Sequence, residues 1–84
     1  MSKTDKLRHV LLAMYVYDDE AFEEELYEIA TCIRENKVYD LNQTLRAKDL
    51  LQLLESLVET IDSTDVKERM MRAMVREVIS NVSR

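Results

Sequence analysis

No glycine and no proline occur in the 84 residues. Tight hairpin turns draw on Gly for positive φ, so an all-β fold is close to excluded. Loops that cradle phosphate with successive glycines are excluded outright. Apolar residues make up 46% of the chain, too many for a disordered acidic segment. The expectation is one all-α domain over residues 1–84, a bundle of three to four helices ending in an antiparallel helical hairpin.

A domain of this size buries only about 65% of the surface its unfolded chain exposes. Such domains often add a disulfide, a metal or a second subunit. Cys32 and His9 are the single representatives of their types. An intrachain disulfide and a metal site of three or four Cys/His ligands are therefore both out of reach, and no cofactor is expected. Cys32 reads as a small apolar helix residue in a reducing, cytoplasmic setting. That leaves self-association, and a homodimer is expected.

Lys3, Lys6 and Arg8 precede the apolar run Val10 to Tyr17, the order of a secretory leader. The run is short, holds two tyrosines and ends in Asp18-Asp19-Glu20, so export is not expected. A membrane span needs about 20 apolar residues and is not expected either.

Four helical segments follow from period and caps. The first covers 4–17, with Thr4 or Asp5 as N-cap and a stripe so broad that burial on all sides is expected. The second covers 19–36. Asp18 caps it, Phe22, Leu26, Ile29 and Ile33 form its stripe, and Asn36 supplies the left-handed residue that ends it. Residues 37–43 read as an ordered connection with Tyr39 and Leu41 packed back on the bundle; a continued second helix is the alternative. The third segment covers 44–61, capped by Thr44 or Asn42, with Leu50, Leu54, Leu57 and Ile61 inside. Asp62-Ser63-Thr64, three cap-type residues, end it and start the fourth, 65–82, where Val66, Met70, Met74 and Val78 step by four with Met71, Ala73, Val75, Ile79 and Val82 beside them.

Charge is segregated along the chain. The net charge of −5 has an acidic middle between basic ends. Asp19, Glu20, Glu23, Glu24 and Glu28 form a candidate partner-binding acidic face, against the plainer reading of a solvated helix side. Lys67, Arg69, Arg72 and Arg76 form a candidate basic face for an acidic protein or for phosphates. The methionines Met70, Met71 and Met74 read as core, dimer interface or an adaptable groove. Leu11, Met14, Tyr15, Leu51, Leu54 and Val58 are the expected dimer interface. Tyr15, Tyr17, Tyr27 and Tyr39 read as bundle edges, rings packed and hydroxyls in water. Catalysis has little basis, because nothing brings His9 to a nucleophile or an orienting group.

Residues 46–61, Arg-Ala-Lys-Asp-Leu-Leu-Gln-Leu-Leu-Glu-Ser-Leu-Val-Glu-Thr-Ile, resemble the biofilm-development and acid-resistance regulators of the YmgB/AriR type, the two-component-system connector proteins. Lys48, Leu50, Leu51, Leu53, Leu54, Ser56, Leu57, Glu59, Thr60 and Asp62 carry the likeness, and Arg72 matches a basic position. The family's glycine before this helix has no counterpart in residues 36–43. The resemblance implies an all-α homodimer that regulates by contacting signalling proteins or DNA.

The sequence therefore leads to a non-enzymatic cytoplasmic regulator that binds another protein. Two alternatives stand beside it: nucleic-acid association through the last helix, and an acidic decoy that occupies the site of a nucleic-acid-binding enzyme.

Overall fold

In the computed structural model, described over residues 3–40, 44–61 and 64–83, four helices enclose one core. They are α1 (Lys3–Tyr17), α2 (Asp19–Glu35), α3 (Ala47–Thr60) and α4 (Val66–Val82). Between α2 and α3 lie β1 (Tyr39–Asp40) and β2 (Thr44–Leu45), a minimal antiparallel pair with Tyr39 opposite Leu45. The ordered connection expected at 37–43 thus includes one strand of this two-rung pair, and α2 ends at Glu35 rather than continuing. Tyr39 packs inward as expected, whereas Leu41 lies outside the described residues.

Local chemistry sets the helix ends. The Asp18 carboxylate accepts from the Ala21 amide at 3.2 Å, occupying one donor that the first turn of α2 leaves unpaired. Asn36 takes φ 54°, ψ 43°, its amide donates to Ile33 O and the Lys37 amide donates to Cys32 O. This is a Schellman ending made without glycine, because Asn tolerates the left-handed region better than most residues. Three expected caps are corrected. Thr4 and Asp5 lie inside α1, which begins at Lys3. Arg46, with no side-chain cap bond, precedes α3, and Thr44 belongs to β2; Asn42 lies outside the described residues. Asp65 rather than Thr64 caps α4, accepting from the Glu68 amide at 3.1 Å, and Asp62 and Ser63 lie outside the described residues.

The third helix is central. Leu50, Leu53, Leu54 and Leu57 are fully buried, and α1, α2 and α4 all pack on them. From α1 come Leu7 and Leu11, from α2 Phe22, Leu26 and Ile29, from the hairpin Tyr39 and Leu45, and from α4 Met71 and Val75. Burial of a Leu, Ile, Phe or Met side chain contributes about 1.5–3 kcal/mol.

Two expected faces are rotated. The first helix is not buried all round: Val16 and Tyr17 are 70% and 88% exposed. On α4, Val66 and Met70 stand 64% and 69% exposed while Met71 and Val75 fill the core. A strict four-residue spacing drifts about 40° per step on a helix, so Val66 to Val78 winds about 120° around α4 and cannot all face inward. Met71, Val75, Val78 and Val82, spaced four, three and four, hold one side.

Candidate functional site

The rotation of α4 creates an open groove between α2 and α4. Its longer section, about 490 Å³, has Leu26, Tyr27 and Ala30 on one wall and Met70, Ala73, Met74 and Val78 on the other. A second section of about 320 Å³ continues from Met70 and Met74 to Tyr15, Phe22 and Met71. Asp19 and Glu20 lie with Lys67 and Met70 at one end, and Arg34 lies with Asn81 at the other. The two helices therefore run side by side in the same direction.

Along the groove the chain leaves apolar surface in water. Tyr27 is 67% exposed, Met70 stands out beside it, and Met74 and Val78 are half-buried. The methionines expected as one set are divided: Met71 belongs to the core, Met70 and Met74 to the groove. Tyr15 closes the end nearest Lys67. Its ring meets Phe22 edge-on at 5.6 Å, and the Lys67 ammonium lies 5.3 Å from the ring centroid. The Tyr15 hydroxyl is buried without a hydrogen-bond partner among the described residues, and burial, then Asp65, Glu68 and Asp19, raise its pKa.

The acidic face is divided as well. All five of its carboxylate residues are exposed. Asp19, Glu20 and Glu23 border the groove. Glu24 and Glu28 lie farther round α2, since each residue advances about 100°. Glu28 instead faces the hairpin side, where its charge acts on Cys32 and Tyr39. There the Tyr39 hydroxyl donates to the Glu25 carboxylate at 2.5 Å. Burial first, and then that bond, push the Tyr39 pKa far up. Of the four tyrosines expected to hold their hydroxyls in water, two are thus corrected: the Tyr39 hydroxyl is bonded to Glu25 and the Tyr15 hydroxyl is buried.

The basic face loses a member. Lys67, Arg69 and Arg76 are exposed, but the Arg72 guanidinium turns inward and donates to the Ile61 carbonyl. Its Nε is buried without a partner among the described residues. An arginine that ties the end of α3 to α4 is a structural clamp, so Arg72 is removed from the phosphate-facing set.

Two expected dimer-interface residues are also reassigned. Leu11 and Leu54 are 0% exposed inside their own chain, with no surface to offer a second one. Tyr15 belongs to the groove. Met14, Leu51 and Val58 stay half-buried.

Cys32 is buried, and its thiol points to the Val38 carbonyl at 3.8 Å. Burial, aided by Glu28 and opposed by Lys37, raises its pKa and disfavours the thiolate. His9 is exposed on α1. Among the described residues no group of three His, Cys, Asp or Glu is arranged to hold a metal, and no helix is long and apolar enough to cross a membrane. No protein family, no curated protein and no solved structure matches the chain.

Proposed function

We propose that this chain is a non-enzymatic cytoplasmic regulatory protein that acts by binding another protein, as a small helical homodimer with an antiparallel α3–α4 hairpin. One observation carries the binding reading: the α2–α4 groove keeps Tyr27 and Met70 in water beside charged side chains. Exposed apolar surface with a polar rim is the usual mark of a protein contact. The likeness of residues 46–61 to connector regulators supports the same class. The test is capture from the native host with the immobilised chain, read by mass spectrometry. A protein enriched over a control bundle of equal charge supports the reading; none enriched overturns it.

A second reading has its own observation, since Arg69 and Arg76 are exposed and about two turns apart on one side of α4. A duplex titration at about 50 mM salt decides it, because phosphate contact is strongest at low salt. Negligible affinity there ends it. The acidic-decoy reading requires Glu23, Glu24 and Glu28 to act as one surface, and neutralising all three would then abolish inhibition.

A further inference from the structure

Four carboxylates line or end the α2–α4 groove: Asp19, Glu20 and Glu23 from α2, and Glu77 from α4. None of them forms an ion pair among the described residues. Two cations, Lys67 and Arg34, sit near its ends, so the groove carries a net negative rim. Lys67 is already engaged over the Tyr15 ring.

The floor is suited to side chains in a row. From Glu20 to Arg34 the groove follows fourteen steps of α2, about 21 Å at 1.5 Å per residue, the length of about four helical turns. Met70 and Met74 supply flexible, polarizable walls that reshape around an inserted chain. Residues recurring at i, i+4, i+7 and i+11 on a ligand helix would lay one apolar edge along it. A strand would need an open sheet edge, which α2 and α4 do not offer.

We infer that the groove between α2 and α4 is a docking site for a basic amphipathic helix of a partner protein, whose apolar edge covers Tyr27, Met70 and Met74 while its lysines or arginines meet Glu20, Glu23 and Glu77. The inference rests on the protein-binding reading above and adds the chemistry of the partner. A second copy docking groove to groove is the poorer occupant, because it brings the same net-negative rim to the contact.

The test uses the full chain and a labelled peptide of about 18 residues with leucines at i, i+4, i+7 and i+11 and lysines on the flanking positions. Two control peptides replace the leucines by serines or the lysines by glutamates. The expected result is saturable binding with Kd on the order of 10 µM at about 0.1 M salt, with each control at least about tenfold weaker. Met70→Asp adds negative charge to an exposed site, so a loss of affinity of about tenfold there isolates the apolar contact. The Glu20→Gln, Glu23→Gln pair should weaken binding about fivefold and flatten its salt dependence. Circular dichroism checks that the variants keep their helices. The inference is overturned by any one of three results: equal binding of the serine peptide, no effect of Met70→Asp, or no saturable binding up to about 1 mM peptide. It is also overturned if the wild-type chain self-associates and Met70→Asp alone makes it monomeric, which assigns the groove to a second copy. Host-protein capture that survives Met70→Asp would sink the groove assignment while leaving the protein-binding reading intact.

Discussion

Tyr39 shows how one side chain can hold a loop without glycine or proline to shape it. Its ring is 3% exposed, it faces Leu45 across the short β-pair, and its hydroxyl donates to Glu25 on α2. Ring and hydroxyl thus fasten the hairpin to the bundle from two directions. Tyr39→Phe keeps the ring and removes the bond, so denaturant unfolding should show a loss of about 1.5–3 kcal/mol, as for a hydrogen bond to a charged group. The same contact predicts a pH dependence. The unfolded chain gives up this proton near the ordinary value of 10.0, whereas the folded chain holds it to higher pH. Above pH 10 the folded state therefore binds more protons, and stability falls as pH rises. Melting curves from pH 8 to 11 should show a steeper decline for the wild type than for Tyr39→Phe, and parallel curves would refute the assignment.

Individual helices were legible in the sequence wherever a cap and a three-four spacing agreed. Asp18, the Phe22 stripe and Asn36 gave α2 nearly to the residue. The fourth helix was legible in existence and length but not in rotation, because two apolar rows compete on it. The row at 66, 70, 74 and 78 looks regular in sequence yet spirals around the axis; the row at 71, 75, 78 and 82 does not. For that reason the methionines allow a groove in the sequence without placing it, since its position depends on Met70 being turned out. Caps on α3 and α4 were misplaced because Thr44, Asp62, Ser63, Thr64 and Asp65 are all competent cap residues, and tertiary packing chooses among them. Paired substitutions test the rotation. Met71→Ala should cost about 2–4 kcal/mol by opening a cavity, while Met70→Ala should stay within about 0.5 kcal/mol. Equal costs would return Met70 to the core. Asp65→Ala, which removes the α4 cap bond, should cost about 1 kcal/mol in the same measurement.

On the scale of the whole molecule, the acidic α2 packs between α1 and α4, whose ends of the chain are net positive. The segregated charges share one bundle, yet its short ion pairs are local: Arg8 with Asp5 at 3.4 Å within α1 and Lys37 with Glu35 at 3.6 Å at the end of α2, both partly in water. Exposed pairs of this kind contribute well under about 1 kcal/mol each. Stability therefore comes from the leucines of α3 and what covers them. That same economy weakens the case for a tight dimer, because Leu11 and Leu54, its strongest expected contacts, are already spent inside the monomer. What remains is Met14 on α1 and the Leu51–Val58 side of α3, all half-buried. Three such side chains make a patch well below the roughly 1,000 Å² that a stable interface buries. A dimer of this chain should therefore be weak and concentration-dependent. Sedimentation should read 9.9 kDa when dilute and approach twice that mass as concentration rises. Leu51→Glu should hold the chain at the lower mass with helicity unchanged, whereas Leu54→Glu should lose the helices by placing an unpaired charge in the core. A wild-type mass that stays at 9.9 kDa across the whole concentration series would end the dimer reading and leave a monomer whose groove faces its partner alone.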